Sequence, residues 1–346
     1  MISGDRQVRS WLLAAAAAVT LAVTIGGITR LTHSGLSITE WRPVSGVLPP
    51  LTQSAWSDAY QRYLQIPEAQ TVHRGITLAQ FQGLYWWEWI HRLVARGVGL
   101  LLALPYFWFL ARGRLGPQHR ARLLLLPILV AAQGALGWYM VRSGLAERTD
   151  VSAFRLTAHL GLALLIYAIC VWSALDLSRP SGTPPGGASA SMTLRRWSLA
   201  GAGAAFVTML SGGFVAGLDG GKVFNTFPLM GGRLVPPGYR IYASWWRDAF
   251  ENPAAAQFHH RVLALATALA LLLLARSALR RGREPGVRNA AGLLALAVVA
   301  QVTLGIATLV LAVPVLLGVL HQLGGMALLT AALVLSHRTR AEPQGR

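Results

Sequence analysis

The segment "WWEWIHRLVARGVG", residues 86–99, runs directly into the strongly apolar segment "LLLALPYFWFLA", residues 100–111. Its ionisable side chains are Glu88, His91, Arg92 and Arg96. Ionisable groups are costly inside a bilayer, so their presence at the start of an apolar helix indicates function. Whether a bilayer surrounds this helix depends on the composition of the rest of the chain.

The composition is that of an integral membrane protein. Of the 346 residues, 54% are hydrophobic and only 13% are charged, and the mean hydropathy is +0.47, which is too apolar for an ordinary soluble domain. The net charge is +18, but the arginines cluster between apolar runs rather than among aromatics on a soluble surface, so we predict no nucleic-acid partner. The single cysteine, Cys170, excludes an intrachain disulfide.

The apolar runs predict an all-α fold with eight transmembrane helices, since a spanning helix needs about 20 mostly apolar residues. The second and sixth helices reach that length only if "EWIHRLVAR" and "QFHHR" are included. The predicted helices are 10–29, 88–111, 122–142, 154–176, 196–218, 257–279, 288–312 and 315–337.

Short loops rich in arginine predict the orientation. The loops 112–122 and 276–288 are strongly basic and lie on the same side as both termini, so the positive-inside rule predicts cytoplasmic termini. The long loops 30–87 and 219–256 then face outward. These features predict a multi-pass protein of the inner (plasma) membrane, in contact with lipid.

The chain contains an internal repeat. The segment 178–193, rich in Gly, Pro and Ser, is interpreted as a flexible cytoplasmic linker between residues 10–177 and 194–338. The halves align at "TIGGITRL" (24–31) with "LSGGFVAGL" (210–218), "WIHRLVARGVGLLLAL" (89–104) with "FHHRVLALATALALLL" (258–273), and "AAQGALGWYMV" (131–141) with "VAQVTLGIATLV" (299–310). The repeat predicts two pseudo-symmetric four-helix bundles related by an axis along the membrane normal.

Two pairs of histidines match across the repeat. His91 corresponds to His260, and His159 corresponds to His321; all four are predicted within the first turns of helices that enter from the outer side, and so at one depth. His259 points about 100° away from His260 on a helix. A membrane histidine is often only packed or hydrogen-bonded to a neighbouring helix. Two matched pairs in apolar bundles instead favour haem, whose iron takes axial histidines.

Three arginines are candidates for binding haem propionates. Arg92 and Arg261 each follow the first histidine of a pair, and guanidinium groups form bidentate bonds with carboxylates. Arg96, one turn further along the helix, has either the same role or a side chain that extends outward to water.

Glu88 breaks the symmetry of the repeat, because the matching residue of the second half is Gln257. A glutamate at a helix start is often a solvated cap. Glu88, however, lies three residues before His91 and on the same helix face. This difference predicts chemistry in the N-terminal half and a structural or electron-transfer role for the C-terminal half.

The chain resembles the haem A synthase family over about residues 10–337, most closely the branch found in alphaproteobacteria and mitochondria. The motifs that carry the resemblance are "GGITRLTHSGLSITEWRPVSGVLPP" (26–50), "EWIHRLVARGVG" (88–99), "RLTAHLGLAL" (155–164), "GGFVAGLDGGKVFNTFPLMGG" (212–232), "FHHR" (258–261) and "LHQLGG" (320–325). The resemblance implies oxidation of the C8 methyl group of haem O to the formyl group of haem A. The family is thought to use two hydroxylations, through haem I and a geminal diol.

The resemblance also implies a division of roles. His91 and His159 would hold the substrate haem O with Glu88 assisting its oxidation, while His260 and His321 would hold a permanent haem b. Some branches carry a cysteine pair in the first outer loop; this chain has none, so its electron acceptor stays open.

The outer loops and the partners follow from the same resemblance. Trp41 and Asn225 are the loop residues that we expect to cover haem edges, with ordinary loop packing as the alternative. A haem O synthase is the expected substrate donor, and cytochrome oxidase assembly factors are expected partners. A homo-oligomer is left open.

Two other functions are compatible with part of the pattern. A bis-histidine di-haem b cytochrome of the cytochrome b561 kind, oxidising quinol or ascorbate, would explain the four histidines but not Glu88. A transporter would also be duplicated, but the cytoplasmic halves of these helices have few polar residues.

Overall fold

The computed structural model describes residues 3–42, 45–147, 151–178, 192–282 and 284–340. Most of the predicted linker 178–193 lies outside these residues. The described chain forms eleven α-helices and no β-strand. The helices are α1 (Ser3–Leu31), α2 (Gln53–Leu64), α3 (Pro67–Thr71), α4 (Leu78–Ala111), α5 (Pro117–Glu147), α6 (Ala153–Asp176), α7 (Met192–Gly217), α8 (Trp245–Glu251), α9 (Pro253–Arg281), α10 (Pro285–Val310) and α11 (Val315–Arg338).

Eight of the described helices are long and apolar enough to cross a membrane, namely α1, α4, α5, α6, α7, α9, α10 and α11. The predicted all-α class and the eight spans are confirmed. The largest difference is at α4, which begins at Leu78 because Thr77 and Gln80 form a capping box. The prediction that His91 lies in the first turns of its helix is therefore wrong: it lies in the fourth turn of α4.

The spanning helices pack as two groups of four. In the N-terminal quartet, α1, α4, α5 and α6 each pack against the next, and α6 closes the ring against α1; α7, α9, α10 and α11 form a C-terminal quartet in the same order. The quartets meet where α1 and α6 contact α7 and α11. The predicted boundaries of the two halves and their pseudo-symmetry stay predictions.

Small residues bring the two quartets together. A β-carbon built on Gly217 of α7 would lie 2.6 Å from Ala153 Cα of α6, so no larger residue fits there. On the other side of the contact, Gln322 of α11 donates from Nε2 to the carbonyl oxygen of Val23 in α1 at 3.1 Å. Close backbone approach and interhelical hydrogen bonds are the usual sources of helix association in lipid.

Ionic contacts join the quartets at both ends. Asp176, at the end of α6, binds Arg122 of α5 at 2.5 Å, His337 of α11 at 2.8 Å and Arg340 at 2.9 Å. At the opposite end, where the long loops lie, Arg30 of α1 binds Asp219, just after α7, at 2.9 Å. Each pair links segments that are far apart in the sequence.

The first long loop is largely helical rather than irregular. Helices α2 and α3 and the first turns of α4 surround a second apolar core that includes Trp56, Tyr63 and Phe81. Within it, Tyr63 Oη and His73 Nδ1 are 2.6 Å apart. Burial raises the pKa of Tyr63, whereas burial and then the nearby His33 lower the pKa of His73. The side chains of His73 and Glu68 therefore both contact the Tyr63 hydroxyl group, which ties α2 to α3 and to the segment that follows α3.

Replacing Asp176 with Ala is expected to destabilise the protein, because Arg122 and Arg340 lose a partly buried counter-charge. Removing one member of a buried ionic contact costs on the order of 3 kcal/mol. Thermal unfolding in detergent measures the effect. The control is Glu251→Gln, which removes the exposed pair with Arg247 and should cost about 1 kcal/mol or less. Equal melting temperatures for the two variants would contradict the assigned role of Asp176.

Candidate functional site

Each predicted ligand histidine lies against a glycine of a neighbouring helix. A β-carbon built on any of the four glycines would lie between 2.8 and 3.2 Å from the facing imidazole. A larger residue would therefore displace the imidazole. The pairs are His91 with Gly26, His159 with Gly137, His260 with Gly212, and His321 with Gly305.

The two histidines of each predicted pair lie on diagonally opposite helices of one quartet. In the N-terminal quartet, His91 is on α4 and His159 is on α6, and these two helices stand at opposite corners. His260 on α9 and His321 on α11 have the same relation in the C-terminal quartet. Both predicted pairs thus lie within single quartets, and their joint binding of iron stays a prediction.

A glutamine holds the backbone of the second histidine in each pair. Gln133 Nε2 donates to the carbonyl oxygen of His159 at 3.0 Å, and Gln301 Nε2 donates to that of His321 at 2.9 Å. The Oε1 atoms of both glutamines and the Nδ1 atoms of both histidines are buried without a hydrogen-bond partner among the described residues. Unsatisfied buried polar atoms are rare, and here they recur at matching positions of both quartets.

The donor set in each quartet fits a haem. Among the described residues, no group of three or more His, Cys, Asp or Glu side chains is placed to hold a metal ion, and each quartet offers two imidazoles instead. Two axial histidines in an apolar slot are a donor set that haem iron accepts.

The neighbouring histidines of α9 have different partners. His259 Nε2 lies 2.8 Å from Tyr239 Oη, whereas His260 Nδ1 lies 2.8 Å from Ser211 Oγ on α7. His259 is therefore bonded within the second long loop, and His260 points into the quartet, which agrees with the register of the repeat.

Glu88 is buried inside α4 rather than placed at its start. Its side chain is only 4% exposed; Arg92 Nε donates to Oε1 at 2.6 Å, and Oε2 lies 3.9 Å from His91 Nδ1. A solvated helix cap is therefore excluded. Gln257 in the other half is equally buried but donates from Nε2 to the carbonyl oxygen of Phe224 at 3.1 Å.

The three arginines bind loop carbonyl groups. Arg92 and Arg261 each donate to two backbone carbonyl oxygens, which belong to loop residues i and i+2. Arg96 Nη2 donates to the carbonyl oxygen of Arg42 at 3.0 Å. The bonds are from Arg92 to Ile38 (2.9 Å) and Glu40 (3.0 Å), and from Arg261 to Phe224 (2.7 Å) and Thr226 (2.8 Å). Their role in the described protein is to hold the long loops over the quartets, and propionate binding stays a prediction.

The two loop residues expected over haem edges have different surroundings. Asn225 Nδ2 donates to the carbonyl oxygens of Gly221 at 2.9 Å and Leu309 at 2.8 Å, which fastens the loop to the end of α10. The ring of Trp41 lies 5.8 Å from the Arg92 guanidinium carbon. Trp41 also lines a cavity of about 260 Å³ with Trp138 and Arg142. Loop packing thus accounts for Asn225, and Trp41 stays a candidate.

Ser211, Gln133 and Gln301 are contacts of the histidines that the sequence did not reveal. The two glutamines stand at matching places in the repeat, which was the available signal. Ser211 precedes the glycine that faces His260, but a hydroxyl group on an apolar helix has no distinctive pattern.

Replacing Arg261 with Lys is expected to loosen the second long loop, since an ammonium group cannot bridge both carbonyl oxygens in the same geometry. Trypsin should then cut several-fold faster at Arg233 and Arg240, as measured by mass analysis of a timed digest. Arg247→Lys, which alters an exposed pair, is the control. Unchanged cleavage in Arg261→Lys would show that the loop is held without this residue.

Comparison with known proteins gives a consistent result. The family model of the cytochrome oxidase assembly protein matches residues 9–333. The chain is 46% identical to the haem A synthase of Rhodospirillum centenum over 332 residues, covering 96% of this chain and 88% of that protein. It is 43% identical over 329 residues to that of Rhodopseudomonas palustris (94% and 87%) and 40% over 341 residues to that of Nitrosospira multiformis (98% and 95%).

Proposed function

Because this chain belongs to the cytochrome oxidase assembly protein family, together with the haem A synthases, we propose that it oxidises the C8 methyl group of haem O to the formyl group of haem A. Family membership makes the chain a membrane enzyme, a haem-dependent oxidoreductase. The observation that carries the proposal is the buried carboxylate of Glu88 beside one histidine pair, where the other pair has Gln257.

The two quartets take different haems in this proposal. His91 and His159 hold the substrate, and His260 and His321 hold haem b. The support is that the two histidines of each pair lie on diagonally opposite helices of one quartet, each against a glycine that leaves room for the imidazole. Haem b, when bound, supplies a one-electron redox centre, and the protein supplies orientation and electrostatics.

Glu88 is assigned the proton chemistry. Converting a methyl group to a formyl group replaces C–H bonds by bonds to an oxygen atom, which water supplies, while the protons are released and the electrons pass to the separate acceptor. A carboxylate beside the carbon accepts a proton or stabilises developing positive charge. Arg92 holds one oxygen of Glu88 at 2.6 Å, and the other oxygen faces His91. Gln257 has no charge to offer at the matching position, so the proposal places oxidation in the N-terminal quartet only.

The placement in the cell follows from the basic short loops. We propose that both termini are cytoplasmic, that the long-loop end faces outward, and that the two quartets are pseudo-symmetric bundles joined by the linker 178–193. Haem O arrives from a haem O synthase in the same membrane, and the electrons leave to a separate acceptor.

Extraction of the haems from the purified protein, with chromatography and mass detection, tests the proposal. Haem b accompanied by haem O, haem I or haem A is the expected result. Haem b alone at two per chain would instead identify an electron-transfer cytochrome, the alternative that four histidine ligands also permit.

Glu88→Gln should retain haem b and lower haem A formation by roughly 10²-fold or more, the usual contribution of a positioned proton acceptor. The output is the ratio of haem A to haem O in membranes that supply haem O. Gln257→Ala is the matched control and should leave this ratio unchanged. An unaltered ratio in Glu88→Gln would rule out a catalytic carboxylate.

His260→Ala and His321→Ala should each lose haem b, because an axial ligand is removed. His91→Ala and His159→Ala should keep it. The haem b content per chain, from the pyridine haemochrome spectrum, separates these outcomes. Retention of low-spin haem b in both C-terminal variants would mean that the haems are assigned to the wrong quartets.

A further inference from the structure

The two halves differ in what holds the Nδ1 atom of the first histidine. In the C-terminal quartet, Ser211 Oγ donates its proton to the carbonyl oxygen of Thr208 at 2.7 Å and lies 2.8 Å from His260 Nδ1. Since the hydroxyl proton is used, Oγ accepts from Nδ1–H. The neutral imidazole of His260 therefore has its lone pair on Nε2, the atom left for iron.

The matching position of the N-terminal quartet has no hydroxyl group. Ser211 directly precedes Gly212, which faces His260, and Ile25 directly precedes Gly26, which faces His91. Ile25 is buried and apolar. His91 Nδ1 instead lies 3.9 Å from Glu88 Oε2, beyond hydrogen-bonding distance, and the other oxygen of Glu88 is held by Arg92.

A hydrogen bond at Nδ1 has two consequences for a histidine that ligates iron. It fixes the rotation and the tautomer of the imidazole, and it makes the ligating nitrogen more basic. Both effects strengthen retention of the metal group. A permanent cofactor benefits from such retention, whereas a substrate that must leave as product does not.

We propose that Ser211 is a positioning residue that retains the haem of the C-terminal quartet, and that Ile25, at the matching place, leaves His91 unlocked so that the product is released. This inference rests on the proposed function, because it takes one haem as resident and the other as exchanged. Ser211 and Ile25 are not ligands; they determine whether the haem bound by the neighbouring histidine is retained or exchanged.

The test compares Ser211→Thr with Ser211→Val, which have nearly the same shape and differ in the hydroxyl group. Purified holoprotein is mixed with apomyoglobin, and the transfer of haem b is followed optically. Ser211→Val should lose haem b roughly 10- to 100-fold faster, as for other lost partners of metal ligands. Ser211→Thr should lose haem b at nearly the same rate as the unaltered protein.

The midpoint potential of the bound haem b gives a second measurement that does not depend on activity. Loss of the Nδ1 partner makes the histidine a weaker donor, so the potential of Ser211→Val should shift to a more positive value. If both variants keep the original transfer rate and potential, the proposal is overturned. Should Ser211→Val fail to accumulate, Ser211→Ala against Ser211→Thr makes the same comparison.

The reciprocal variant, Ile25→Ser, introduces the hydroxyl group beside His91. It should purify with several-fold more haem O and haem A, because product release is slowed. Unchanged occupancy would contradict the role of Ile25.

The haem content of two variants distinguishes a failure of the proposed function from a failure of the role of Ser211. If the unaltered protein contains no haem b, or if His260→Ala retains it, the proposed function and its ligand assignment fail. If haem b is present in the unaltered protein and is lost in His260→Ala, the proposed function stands. If its rate of transfer is then unchanged in Ser211→Val, only the retention proposal fails.

Discussion

Each imidazole fits inside its quartet because the residue opposite it on the neighbouring helix is a glycine, which has no side chain. At Gly26, Gly137, Gly212 and Gly305, a β-carbon would lie within 2.8–3.2 Å of the facing imidazole. Close packing leaves little freedom to absorb such an atom. The distance between each of these helices and its neighbour, and the place of each imidazole, depend on this contact.

Charge in an apolar surrounding is the second constraint, and the chain meets it by pairing. Asp176 binds three basic side chains of two other segments, and Arg30 binds Asp219 across the quartets. Arg92 donates hydrogen bonds to the carboxylate of Glu88 and to two loop carbonyl groups. Unpaired charges would be costly here, so these contacts hold the quartets together and place the loops over the histidines.

The same scaffold, used twice, is adapted by a small number of changes near the histidines. Glu88 corresponds to Gln257 and Ile25 to Ser211. A glycine faces each histidine in both halves, although His91 meets its glycine through Nε2 and the other three through Cε1. Gln133 and Gln301 form matching bonds to the backbone of the second histidine. In the functional proposal, the first change supplies a carboxylate to one haem, and the second gives the other haem a fixed ligand. In that proposal, the two halves share the histidines, and these local differences separate the substrate from the cofactor.

The sequence by itself determined the number of spanning helices, the matched histidine pairs and the difference at Glu88. A helix that spans a bilayer needs a long apolar run, and such a run is a local property of the sequence. The start of α4 at Leu78 was nevertheless predicted wrongly, because its capping box precedes the apolar run. Only the tertiary structure decided that Arg261 holds two carbonyl groups, that Ser211 bonds to His260, and that Asp176 joins three segments. These partners are 35 to 164 residues apart in the sequence. A pattern along the sequence indicates which side chains are buried. It does not indicate how two packed helices are rotated about their axes or shifted along them relative to each other.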